Sequence, residues 1–210
     1  MLADDFNGTD LDPLRWRKYG ETSDWPGHAG HGLRVGRAVS VANGAAVITA
    51  KEVGNVIESG AFTPRSVYTT YGRYEARVRT LPDPSGVMSG VVLTWPTSNN
   101  QPPEGELDFY ETGRQRANFK SFVHYGATNS QVYCTHLVDP TQWHDVAMEW
   151  EPNRLEIFVD GTSRCRWTDP TVIPDWQHRV TFQYDAFADD MGSTVTRMEI
   201  DWARIWTLAQ

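Results

Sequence analysis

An all-β fold of two packed antiparallel sheets is the class this sequence predicts, and three observations predict it. Short runs alternate apolar and polar residues with a period of two, the spacing that puts one face of a strand inward and the other outward. Long stretches with helical periodicity are missing. Proline and glycine fall between the alternating runs, as loop punctuation should. At 210 residues, with 40% hydrophobic and 22% charged residues, the chain is the size of one large β domain. With no linker, composition break or internal repeat, residues 1–210 read as a single domain.

The elements follow in order. Residues 38–42 and 45–51 flank Asn43-Gly44, a pair that tolerates positive φ at both positions and so predicts a tight hairpin. Residues 55–62 read as one further strand. In Gly72–Thr80, Tyr74, Ala76 and Val78 share one face while Arg73, Glu75, Arg77 and Arg79 share the other. Residues 89–95, 106–111 and 118–125 are the next strands. Val146, Met148 and Trp150 alternate with charged neighbours. Leu155, Ile157 and Val159 repeat the pattern before a turn at Asp160-Gly161. Residues 180–187 and 197–206 complete the set, and prolines 82, 84, 96, 102, 103, 140 and 174 lie between strands.

The charge balance narrows the partners. A formal net charge of -8 argues against nucleic acid, since phosphate recognition needs a basic face. No apolar run approaches the length of a membrane span, so no membrane partner is expected. Nine Trp, eight Tyr and eight Phe exceed what a core needs and suit a groove that stacks flat sugar rings. Cys134 and Cys165 could close one disulfide or remain two buried thiols; neither has metal-ligand spacing. His28 and His31 stand close enough together to suit a metal, although their glycine-rich loop makes this weak.

The densest chemistry lies in Glu106-Leu107-Asp108-Phe109-Tyr110-Glu111. In a regular strand Glu106 and Asp108 share a face and Glu111 points away. One extra residue near Phe109-Tyr110, a β-bulge, would return Glu111 to that face. Paired carboxylates on one surface are what glycosidic cleavage needs, one ionised toward the anomeric carbon and one protonated toward the leaving oxygen. Crowding by Asp108 would push their pKa values apart. Calcium would want a loop with oxygens on alternate residues rather than these strand formers. A solvated acidic edge is the competing interpretation of the spacing alone.

At this motif the sequence resembles glycoside hydrolase family 16, the laminarinase, lichenase, agarase and carrageenase group, in its bulged E-x-D-x-x-E form. The resemblance extends to residues 4–9, to Tyr71–Arg77, to Val123-His124-Tyr125-Gly126, to residues 143–150 and 158–161, and to Ile200–Trp206. It implies a jelly-roll sandwich of the concanavalin A type with a concave sheet as substrate cleft, and endo-cleavage with retention. By position it makes Glu106 the nucleophile, Glu111 the acid/base and Asp108 the assisting carboxylate. It places His124 near the acid/base and gives Trp95 and Trp25 as cleft aromatics. Asp5, Asp201 and the carbonyl of Gly44 fall where many members hold a structural Ca2+; catalysis itself needs no cofactor. It further implies a secreted chain acting as a monomer on a polysaccharide; no signal peptide is evident at its start.

Three departures bear on specificity. Gln101 stands where laminarinase-type members have Trp, Ala61 where they have a substrate-binding Arg, and Leu93 where they have an inner-strand Trp. The expected substrate is β-1,3- or mixed-linkage β-1,3-1,4-glucan, with another β-glycan of galactan type or transglycosylation as alternatives. A carbohydrate-binding module without catalysis would lack one or both glutamates, and both are present.

Overall fold

In the computed structural model, which describes residues 1–208, eighteen strands form two sheets. They are β1 (Leu2–Asp4), β2 (Trp16–Lys18), β3 (Trp25–Pro26), β4 (Leu33–Arg34), β5 (Val39–Ala42), β6 (Ala45–Val53), β7 (Val56–Ser59), β8 (Ala61–Pro64) and β9 (Gly72–Thr80). The second half supplies β10 (Met88–Pro96), β11 (Glu106–Thr112), β12 (Phe119–Tyr125), β13 (Ser130–His136), β14 (His144–Glu151), β15 (Arg154–Val159), β16 (Thr162–Trp167), β17 (His178–Ala186) and β18 (Val195–Thr207).

The inner sheet runs β13-β12-β11-β10-β17-β8-β2, antiparallel throughout. The outer sheet runs β16-β15-β14-β9-β18-β6-β7-β4-β3, with β1 and β5 added on β18 and β6. Between them lies one continuous core that includes Trp16, Phe62, Tyr74, Phe109, Tyr110, Trp150 and Phe182, all at most 1% exposed. Period-two alternation is what allows this: Tyr74, Ala76 and Val78 of β9 are buried in the core. On the opposite face Arg73 pairs with Glu149 at 2.7 Å, Arg77 with Asp145 at 2.8 Å and Arg79 with Glu199 at 2.7 Å.

The Asn43-Gly44 hairpin forms as expected, with φ of 55° and 75° and Ala42 opposite Ala45. The single strand expected over 55–62 is instead two strands in different sheets, broken at Gly60. β7 pairs with β6 in the outer sheet, and β8 pairs with β17 and β2 in the inner one. A Cβ at Gly60 would meet Val39 Cγ2 at 2.7 Å, so the crossing point tolerates no side chain. β13 and β16 are edge strands whose exposed, polar patterns gave little sequence signal. They carry Cys134 and Cys165, which form a disulfide and so tie the edges of the two sheets together.

Candidate active site

The strand register lays out the floor of the inner sheet as rows of side chains. Glu106 lies opposite His124, which lies opposite Gln131; on its other side the row continues through Trp95 to Arg179. The next row is Thr181, Leu93, Asp108, Phe122 and Tyr133. The third is Gln183, Val91, Glu111, Lys120 and Thr135. These rows alternate along each strand with core residues, so the face opposite the core is a polar and aromatic surface. Above it is a cleft of about 690 Å³ that also takes in Tyr19, Trp25, Arg34, Asn99, Gln101, Asn129 and Asp185.

The bulge is where the sequence places it. Asp108 lies opposite both Leu93 and Phe122, yet Tyr110 is already opposite Val92 and Glu111 opposite Lys120. One additional residue is therefore accommodated at Phe109-Tyr110, and both rings are buried in the core at 1% and 0% exposure. Burying two consecutive aromatics inward is what returns Glu111 to the cleft face beside Glu106 and Asp108.

The three carboxylates make each other difficult to ionise. Burial pushes Glu106 up to about 9, with Asp108 adding repulsion and His124 opposing it. Asp108 is held well above the usual carboxylate range by burial and by the charge of Glu111. Glu111 is raised by burial, against the pull of His124. Glu106 and Asp108 are within hydrogen-bonding reach of each other, and Asp108 Oδ1 is buried without a hydrogen-bond donor among the described residues. Glu106 therefore keeps a proton at neutral pH that it must release before it can attack, and Asp108 is a neighbour within reach to share it.

His124 is brought into the site, but not onto Glu111. Its Nε2 lies 3.1 Å from Asp108 Oδ2, and its Nδ1 faces Asn129 Oδ1 at 3.1 Å and Gln131 Nε2 at 3.2 Å. The expected contact with the acid/base is replaced by one with the assisting carboxylate, because strand register places His124 beside Glu106 and Asp108. Trp95 lines the cleft and donates from Nε1 to Asn99 Oδ1 at 3.2 Å. Trp25 is 40% exposed, packs on Tyr19 with ring centroids 4.7 Å apart, and forms part of one wall.

The calcium positions do not fit an ion as they stand. Asp5 is paired with the guanidinium of Arg204, and Asp201 lies 3.5 Å from Arg77, so arginine neutralises both carboxylates. Gly44 turns the neighbouring hairpin at φ 75°. His28 and His31 do not converge on a metal either: His28 stacks on Phe187 at 4.5 Å and His31 bonds Asp189 at 2.8 Å. Among the described residues, Cys134, His136 and Cys165 bring metal-type ligand atoms together, and the two sulfurs are bonded to each other.

Sequence reasoning missed Arg34, whose guanidinium bonds Asp185 at 2.7 and 3.0 Å and fixes a cleft wall. It also missed Phe122, Asn129, Gln131, Arg179 and Gln183. A signal existed: Arg179, Thr181, Gln183 and Asp185 alternate cleanly with buried Val180, Phe182, Tyr184 and Ala186.

The site is thus an all-β sandwich that carries a bulged row of three carboxylates on the cleft face of one sheet. The chain belongs to glycosyl hydrolases family 16, whose sequence profile matches residues 33–204. It is 27% identical over 140 residues to endo-1,3-1,4-beta-glycanase ExoK of Rhizobium meliloti (strain 1021), covering 62% of this chain and 51% of that one. It is 30% identical over 112 residues to a beta-glucanase of Bacillus amyloliquefaciens, covering 52% and 46%. The chain thus spans about half the length of the curated relatives it matches. Among solved structures, the laminarinase from Rhodothermus marinus superposes with a TM-score of 0.83 at 20% identity, covering 100% of this chain and 97% of that one. A family 16 enzyme of the Bacteroides ovatus mixed linkage glucan locus, in complex with its G4G4G3G product, superposes at 0.81 with 21% identity, covering 97% and 99%. These likenesses establish the jelly-roll fold.

Proposed function

We propose that this chain is a retaining endo-β-glycanase, with Glu106 as nucleophile, Glu111 as acid/base and Asp108 as the assisting carboxylate. The observation that carries the proposal is the bulge at Phe109-Tyr110, which turns three carboxylates onto the floor of a cleft open to solvent. In the first step Glu106 attacks the anomeric carbon while Glu111 gives its proton to the departing glycosidic oxygen. In the second, Glu111 takes a proton from water, whose oxygen displaces Glu106 from that carbon. Asp108, ionised before the attack, takes up the proton that Glu106 cannot keep and returns it when Glu106 departs. His124, with Nε2 3.1 Å from Asp108 Oδ2, holds Asp108 in place and favours its ionised form between these transfers.

The substrate proposed is β-1,3- or mixed-linkage β-1,3-1,4-glucan, in line with the names of the relatives. Trp25 and Trp95 offer ring faces for sugar stacking, and Gln131, Gln183 and the Arg34–Asp185 pair offer hydroxyl partners. Leu93 and Val91 put small aliphatic surface beside the carboxylates, where a bulkier floor would constrict the path. One chain supplies the cleft lining named here, so a monomer suffices. A polymeric substrate and a disulfide both suit work outside the cell.

Reducing-sugar release from a panel of glucans and galactans tests the reading. Release of oligosaccharides from a β-1,3-containing glucan is expected, with a loss of about 10³-fold or more in kcat for Glu106→Gln and Glu111→Gln. Binding without release by the wild type on every polysaccharide would refute it.

A further inference from the structure

We propose that Gln101 is a positioning residue for the nucleophile, its side-chain amide orienting the Glu106 carboxylate and favouring the ionised form that attack requires. This rests on the assignment of Glu106 above. Gln101 Nε2 lies 3.2 Å from Glu106 Oε2 and 3.2 Å from Asn129 Oδ1. The two hydrogens of one amide nitrogen thus meet two oxygen acceptors. Asn129 Oδ1 in turn faces His124 Nδ1 at 3.1 Å, and His124 Nε2 faces Asp108 Oδ2 at 3.1 Å. A chain of polar contacts therefore leaves Glu106 through Gln101 and Asn129 and returns through His124 to Asp108, its partner on the same strand.

The loop that carries Gln101 is held in place. Buried Glu104 accepts from Asn100 Nδ2 at 3.2 Å and from the Ser98 hydroxyl. Gly105, at φ 78°, tucks under Pro174, whose Cγ would stand 2.5 Å from a Cβ added there. The amide therefore approaches Glu106 from a fixed support, which is what positioning demands.

The surroundings of Glu106 show why such a donor matters. On its own strand it faces the like charges of Asp108 and Glu111. From β12 come His124 and Lys120, and from β17 come Arg179 and Asp185; β10 contributes Leu93 and Trp95, which carry no charge. The loop adds Glu104, already engaged with Ser98 and Asn100. Arg179 is turned to Thr97 O and Asn99 Oδ1, and His124 to Asp108 and Asn129. Among the described residues, Gln101 is the side chain that donates a hydrogen bond to the Glu106 carboxylate. A donor to a carboxylate stabilises its charged form.

The test uses Gln101→Met, close in volume but without the donor. Two readings are taken: the pH profile of kcat/KM on a soluble β-glucan, and a carbon-13 NMR titration of Glu106 in glutamate-labelled protein. Both the acid limb and the Glu106 midpoint should move up by about one pH unit, with kcat down about tenfold at neutral pH and KM changed less than about threefold. Asn129→Ala, which frees Gln101 from its second partner, should shift both in the same direction by less. An unmoved limb and midpoint with a raised KM would overturn the proposal and make Gln101 a plain substrate contact. The titration reads the effect on Glu106 whether or not any glycan is cleaved, so failure of the glycanase assignment and failure of this inference give different results.

Discussion

At the scale of single residues, the site couples function to stability with opposite sign. Glu106 is raised from 4.5 to about 9, so the native state keeps a proton that the unfolded chain has already released. Between those values the native state binds more protons than the unfolded one, and stability falls as pH rises. Glu106→Gln removes this liability while preserving shape. The variant should be more stable than the wild type at pH 7, by on the order of 1–3 kcal/mol, the lower end reflecting the water at the cleft edge. The gap should close toward pH 4. Thermal melts of both proteins across that window check it, and equal melting temperatures throughout would show that Glu106 ionises freely. The carboxylates were legible in the sequence because three acids stood among strand formers. Gln101, Asn129 and Arg34 were not, because their roles arise from loops and strands that meet only in three dimensions: 28 residues separate Gln101 from Asn129, and 151 separate Arg34 from Asp185.

At the scale of elements, the bulge decides whether β11 is catalytic. Period two would turn Glu111 into the core beside Phe109, and Tyr110 out to the cleft; the extra residue reverses that. Deleting Phe109 should restore regular pairing with Glu111 two residues beyond Asp108, still on the cleft face. Turnover should then fall far less than the roughly 10³-fold expected for Glu111→Gln, while the loss of one buried ring lowers the melting temperature. A loss as large as that of Glu111→Gln would show that the acid does not keep its place on that face. The bulge was readable because only it reconciles Glu106, Asp108 and Glu111 on one face. The break at Gly60 was not, since residues 55–62 alternate well enough for one strand, and only Val39 packed against Gly60 exposes the crossing. Edge strands β13 and β16 were invisible for a related reason: one-sided burial leaves little apolar periodicity to read.

At the scale of the molecule, two sheets around one core leave the concave face free of packing duty. The outer sheet meets water with ion pairs among Arg73, Arg77, Arg79, Glu149, Asp145 and Glu199, whereas the inner sheet meets it with acids, amides and rings. That division is the physical basis for a cleft, and the disulfide between β13 and β16 braces the sandwich by tying an edge strand of one sheet to an edge strand of the other. The central claim is that Glu106 and Glu111 act by double displacement on one face of this sheet. Proton NMR of the anomeric signals in the first minutes of β-glucan cleavage tests it most directly. The account predicts that the β-anomer of the new reducing end appears first and mutarotates afterwards. Initial appearance of the α-anomer would contradict it.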